Sequence, residues 1–305
     1  MLETSFADAT ILPAAPLREL QVRRDGPGLQ RLVAQTTAYV GSAAAMMLVS
    51  DPIAWWVLLL LHGLTQFGMF GMLHEACHKT AFEKPGLSEV AGWVAALAQP
   101  MSPALMRAFH FEHHRHTHQL DRDPELAGME MMVGWPRGVM WLVTMTGIPV
   151  LVARVGWAMF AALVPSGPAW DKVLPFVRPA RRRRIAWEAR VLLAIHGGVM
   201  VTAALWYPPL WQLYLGMLVG HSLLSWYITC EHRGLDPGGT IFERTRSLRV
   251  PAFVRWLLWN MPYHAEHHAW PAIPFHALPD THREVRPHLV HEVSPLTVHL
   301  RRGRA

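Results

Sequence analysis

Ten of the chain's 19 histidines fall in three short windows. His74 and His78 lie in HEACH, His110, His113, His114, His116 and His118 in HFEHHRHTH, and His264, His267 and His268 in HAEHH. Even scatter over 305 residues would put roughly one histidine in windows of that combined length. Neutral imidazole is the commonest side-chain ligand of transition metals, so clusters of this density point to a metal site with several ions. On a helix, residues three and four apart share a face, and His74/His78, His110/His113/His114 and His264/His267/His268 all have that spacing. Three helical segments therefore offer eight ligands, and His232 in CEHRG is a ninth candidate because it directly follows an apolar helix. Imidazole suits Zn, Cu, Fe or Ni. A structural zinc site closes with four ligands, often including cysteine. This chain offers about twice that number and no cysteine motif, so two irons that activate oxygen fit better. Each cluster also carries a carboxylate: Glu75, Glu112, Glu231 and Glu266, with Asp121 and Asp123 just beyond the second window. These are either ligands or acceptors for the distal ring N–H groups; the histidine supply favours the acceptor role.

The elements that must position these rings belong to an apolar chain. It has 51% hydrophobic residues, 14 Trp, 16 Met and only 16% charged residues, the balance of an all-α integral membrane protein. The first twenty residues carry acidic side chains and no continuous apolar core, so no signal peptide is expected. A crossing helix needs about 20 apolar residues. Residues 32–49, 53–73, 191–207 and 210–229 are candidates, paired into two tight hairpins by Asp51-Pro52 and by Pro208-Pro209. Arg18, Arg23, Arg24 and Arg31 precede the first hairpin, and Arg178 with Arg181 to Arg184 precedes the second, which marks both starting ends as cytoplasmic. Both hairpins return to that side, so all clusters share the cytoplasmic face of a multi-pass protein in the cell membrane. Residues 138–164 would break this parity if they crossed. Their Pro149, Arg154 and glycines suit an interfacial or re-entrant segment, as do residues 87–105, interrupted by Pro100 and Pro103. The expected layout is a cytoplasmic segment 1–30, a membrane domain 31–280 and a basic, solvated tail 281–305 that includes His288, His291 and His299. The run RPARRRR reads as a positive-inside anchor rather than a nucleic-acid patch. Cys77 and Cys230 form no CxxC pattern and read as buried, reduced thiols.

The runs HEACHKTAF, FHFEHHRHTHQLDRDPEL and NMPYHAEHHAWPAIPFHALP resemble the three histidine boxes of the membrane fatty acid desaturases and related hydroxylases, in order and with their flanking residues. The resemblance implies four transmembrane helices capped by a cytoplasmic helical layer that holds a di-iron centre. Its ligands would be His74, His78, His110, His113, His114, His232, His264, His267 and His268, with His116 and His118 outside the set. It implies oxygen-dependent attack on an unactivated C–H bond, ending in an alkene or an alcohol. Electrons must come from a separate donor, ferredoxin-like or similar, because the chain has no haem motif, iron–sulfur cysteine cluster or dinucleotide fingerprint. The favoured reading is desaturation of the acyl chain of a lipid or acyl thioester. Hydroxylation or ketolation of an alkane or carotenoid, desaturation of a smaller metabolite, and a membrane metal-binding or transport protein without redox chemistry are the alternatives. His62, His196 and His221 read as polar packing within helices, His276 and His282 as loop residues, and Trp55, Trp56, Phe67, Trp226 and Tyr227 as lining of a substrate channel.

Overall fold

Asp51 and Pro52 set the first hairpin. The Asp51 carboxylate accepts the N–H of Ala54 at 2.8 Å and Pro52 opens the next helix, where its missing N–H costs nothing. The computed structural model describes residues 11–119, 121–126 and 136–300. The first ten residues of the expected N-terminal segment and the last five of the expected tail lie outside them. In order, the elements are α1 (Ala14–Leu20), α2 (Asp25–Leu48), α3 (Pro52–His78), α4 (Pro85–Ala98), α5 (Pro103–His116), α6 (Arg137–Met145), α7 (Ile148–Leu163), α8 (Pro168–Val173), α9 (Pro179–Leu205) and α10 (Trp211–His232). Then come α11 (Ile241–Arg244), β1 (Ser247–Leu248), α12 (Ala252–Leu257), α13 (His264–Ala269), α14 (Leu278–Val285), β2 (Glu292–Val293) and α15 (Pro295–Leu300). The chain is mostly helical, and the two short strands pair in parallel, Ser247 with Glu292 and Leu248 with Val293.

Among the described residues, three single helices are long and apolar enough to cross a membrane: α3, α9, and α10 with the short turn Pro208–Leu210 before it. The pair α6–α7, bent by 62°, would make a fourth if it crossed as one. The expected first span, α2, has the length but carries Gln30, Arg31, Gln35, Thr36, Thr37 and Ser42, and is not among the three. The second basic run is not a flank before a helix: Arg181 to Arg184 are the opening turns of α9 itself.

Helix α3 is the centre of the bundle and packs on α10, α2, α4 and α5. Its lower half, from Gln66 to His78, is buried without a break. Glycines let α10 come close: a Cβ on Gly63 would sit 2.7 Å from Cβ of Val219, one on Gly216 3.0 Å from Nε2 of His62, and one on Gly220 2.7 Å from Cβ of Gln66. Inside the contact, Gln99 Nε2 donates to the Gln66 carbonyl at 2.7 Å, Arg154 donates to the Gln99 side chain, and Arg154 lies 3.2 Å from Nε2 of His221. The bend between α6 and α7 turns on Gly147, at φ +72 and pressed against the backbone of His221 and Ser222, where a side chain has neither the conformation nor the room.

The tail expectation is corrected. Residues 281–300 fold back onto the body, because α14 buries Leu278, Thr281 and Val285 and α15 packs on α10. His299 is buried, with Nε2 at 3.2 Å from the Cys230 sulfur and 2.9 Å from the Trp226 carbonyl. Cys77 and Cys230 are both free and buried, as expected. His62 bonds Ser42 at 3.0 Å, His196 meets the Tyr214 hydroxyl at 3.3 Å and His221 donates to the Met217 carbonyl at 2.8 Å, the polar packing read from their lone positions. The channel expectation is not met as one lining. Phe67 and Tyr227 meet edge to face at 5.8 Å, whereas Trp56 and Trp226 are exposed on the outer surface.

Candidate metal centre

Two of the histidine segments sit at helix ends where burial is complete. Helix α3 runs on past the apolar stretch to His78 and stops at Lys79, whose φ of 62 closes it in the left-handed conformation. Helix α5 starts on Ser102, whose hydroxyl accepts the Leu105 N–H at 3.2 Å, and carries His110, His113 and His114 inward. Helix α10 ends on His232. The third segment, α13, has only six residues and is held by its surroundings. The turn before it passes through Trp259 and Asn260, both at positive φ. Burial of the Trp259 ring, its N–H bond to Gln35 at 2.7 Å and the Asn260 bond to the Phe275 carbonyl at 2.9 Å hold that conformation.

All nine predicted ligands converge. His74, His78, His110, His114 and His267 form one buried group, and His113, His232, His264 and His268 a second; within each, one ring nitrogen per residue lies within 4.8 Å of every other. The groups adjoin, with the His114 and His268 rings stacked 4.2 Å apart. In the second group, His113 Nε2 is 3.2 Å from His268 Nε2, and His232 Nε2 is 2.9 Å from His264 Nε2. In the first, His114 Nε2 is 2.8 Å from His110 Nε2 and 3.1 Å from His267 Nε2. Two nitrogens bound to one ion at about 2.1 Å stand about 3.0–3.4 Å apart at right or tetrahedral angles, so this crowding suits a shared cation.

The opposite ring nitrogens say the same. His113 Nδ1 donates to Asp123, 2.9 and 3.0 Å from its two oxygens. His232 Nδ1 donates to the Arg244 carbonyl at 2.9 Å, and His268 Nδ1 lies 3.2 Å from the Thr117 hydroxyl, which itself donates to the His113 carbonyl. His264 Nδ1 faces Glu231 at 3.2 Å. An acceptor at Nδ1 fixes the proton there and leaves the Nε2 lone pair for a metal in His113, His232 and His268.

The surroundings keep most of these rings neutral. Burial holds His110, His114, His264 and His268 well below the ordinary imidazole range, and burial next to His74 lowers His267 to about 3. His113 differs: burial disfavours its charge, but Glu125 and Asp123 outweigh that and raise it to about 9. Without metal, this ring gains a proton that the unfolded chain, at about 6.5, would release first. Metal must displace that proton. Metal uptake is therefore expected to strengthen as pH rises towards 9, and in Asp123→Ala to be about 10–100-fold weaker with a flatter pH dependence, as read by metal titration of the metal-free protein.

The carboxylates divide. Glu75 lies 3.4 Å from His74 Nδ1, and Glu231 and Asp123 reach rings as described. Glu112, Asp121 and Glu266 do not. Glu112 pairs with Arg115 and with His116 Nε2 at 3.3 Å, because position 112 faces away from the inward histidines. Asp121 is exposed. Glu266 is fully buried but accepts from Ser247 and His282, so it ties α13 to β1 and α14 rather than orienting a ring of either group. His116 and His118 stay outside both groups. Sequence reading missed Thr117, the Arg244 carbonyl, Glu125 at 3.6 Å from His113 Nδ1, and the Ser247–Glu266–His282 tie. Thr117 did leave a signal, standing three and four residues after His114 and His113, where a hydroxyl bonds back to the helix.

A bundle of apolar helices that buries nine imidazoles in two adjoining groups defines a protein of membrane type with a histidine-rich metal-binding cluster. The family model for fatty acid desaturase matches residues 51–299, and the chain belongs to that family of oxidoreductases. The chain is also 23% identical over 249 residues to the sphingolipid delta(4)-desaturase DES1 of Drosophila melanogaster, an alignment that covers 78% of this chain and 69% of the relative.

Proposed function

We propose that this chain is an oxygen-dependent di-iron desaturase acting on the acyl chain of a lipid or acyl thioester. The observation that carries the reading is the pair of adjoining all-histidine groups, five rings and four, buried at one end of the bundle. His74, His78, His110, His114 and His267 would hold one ion, and His113, His232, His264 and His268 the other. Iron, when bound, supplies the redox chemistry with dioxygen that removes hydrogen from an unactivated carbon. The protein's part is positional. Asp123, Thr117 and the Arg244 carbonyl fix three rings, His113, His268 and His232, in one tautomer. Phe70, 6.3 Å from the His74 ring, and Phe111, 5.2 Å from the His78 ring, wall the first group with apolar surface that excludes water.

The Drosophila relative is a sphingolipid desaturase, which favours a lipid acyl chain over a free hydrocarbon as the substrate here. In our reading both hairpins, α2–α3 and α9–α10, cross the cell membrane and return, while the bent pair α6–α7 does not cross. Its 62° bend over α10 supports that role, and the arginines at the start of α9 support a site on the cytoplasmic side. Electrons would come from a separate donor, ferredoxin-like or similar. Mass spectrometry of lipids from cells expressing the chain is expected to show acyl groups lighter by two hydrogens. Acyl groups gaining one oxygen instead would replace desaturation by hydroxylation, and no product with an iron-loaded protein would end the reading.

A further inference from the structure

Residues of β1, α12, α14 and β2 line a cavity of about 360 Å³, and none of them belongs to either histidine group. Its floor is strand β1, where Ser247 and Leu248 are buried, and its walls carry Arg249, Arg255, Tyr263, His282 and Glu292. The charge of these walls is unbalanced. Glu292 is already engaged by Arg286, which lies outside the lining, at 3.0 Å. Among the described residues, neither Arg249 nor Arg255 has a carboxylate within ion-pair distance. Arg255 gives one N–H to the Val250 carbonyl at 2.7 Å, and the Arg249 side chain is exposed at the rim. A concave space of this size with a buried floor suits a small molecule better than the flat surface of a protein partner.

The same walls hold the third histidine segment in place. His282 and Ser247 both donate to the Glu266 carboxylate of α13. Tyr263 directly precedes His264, and its ring lies 4.7 Å from that of His282. A molecule resting on Tyr263, Ser247 and His282 therefore touches the residues that fix α13, which carries three of the nine imidazoles. A helix of six residues depends on such neighbours for its shape, so contacts made in the cavity add to its stability.

We infer that this cavity is a regulatory site for a small anionic metabolite, a carboxylate or a phosphate, whose binding steadies α13. Two guanidinium groups without carboxylate partners offer paired, charge-assisted hydrogen bonds to either kind of anion. The site owes nothing to the identity of the substrate or to the reaction proposed above.

The test involves no turnover, so its failure is separable from that of the desaturase reading. Calorimetric titration of succinate and of inorganic phosphate into the full chain in detergent is expected to show saturable one-to-one binding of at least one, weakened by salt. Binding of succinate alone assigns a carboxylate ligand, and binding of phosphate alone a phosphate. Arg249→Ala is expected to weaken binding about tenfold, and Arg249→Glu by more. That side chain is exposed, so an unchanged thermal midpoint shows that the fold survives; Arg183→Ala, outside the cavity, is expected to bind as the parent does. At about ten times Kd, amide hydrogen exchange in residues 262–269 is expected to slow by up to about tenfold, because opening α13 would release the anion. Absence of saturable binding by both anions at low salt, equal binding by Arg249→Glu, or unchanged exchange in residues 262–269 at saturation overturns the inference.

Discussion

His267→Ala is expected to abolish turnover, by more than about a hundredfold, and to lower iron content. Loss of a group that merely orients a ligand costs about 10–100-fold in affinity or activity, and a ligand costs more. His267 is central to its group. Its Nε2 lies 3.1 Å from that of His114, its ring stands 4.6 Å from His74 and 4.5 Å from His78, and it is buried on the short helix α13. Its loss leaves four rings around a position shaped for five. His116→Ala is the matched control. That ring lies inside the densest histidine window in sequence, but it faces Glu112 and belongs to neither group. Iron per chain and product formation measured on both variants decide the matter. Full activity and parental iron in His267→Ala would remove it from the centre.

Gly220→Leu is expected to destabilise the chain by about 1–3 kcal/mol or more and to lower metal uptake with it. A Cβ at 220 meets Cβ of Gln66 at 2.7 Å and the Gly63 carbonyl at 3.1 Å. Gln66 cannot swing aside without giving up its bond to the Ala98 carbonyl, and the main chain of Gly63 cannot move without moving α3. Since α3 ends on His74 and His78 and α10 on His232, forcing the helices apart separates ligands of both groups. Gly197→Leu and Gly198→Leu on α9, where a Cβ meets nothing within 4 Å, are expected to be close to neutral. Thermal midpoints in detergent compare the three. A Gly220→Leu protein as stable as the parent would show that the α3–α10 contact yields.

The histidines were legible because two simple rules act on them: helical spacing puts each set on one face, and hairpin topology brings the faces to one end. Their companions were harder. At 3.6 residues per turn, Glu112 lies nearly opposite His110 and His114, and Glu266 nearly opposite His264 and His268. Proximity in sequence suggested a contact that the same periodicity, applied to the carboxylates, denies. His282 gave no local signal, since it reaches Glu266 across sixteen residues and a Pro-rich loop. His299 looked like part of a charged tail because its partner, Cys230, is 69 residues away. The break within 138–164 was legible, whereas the polar side chains of α2 weigh against counting it as a span on length alone.

One feature of the two groups reaches beyond chemistry. The first draws on α3, α5 and α13, and the second on α5, α10 and α13. No ion would be held by neighbours in the chain; each would fasten segments that the sequence separates, up to His74 and His267. A six-residue helix such as α13 does not hold its shape alone. Filled, the two groups would act as rivets that lock α13 onto α3, α5 and α10. Iron supply would then set how long the protein survives in the cell as well as how fast it works.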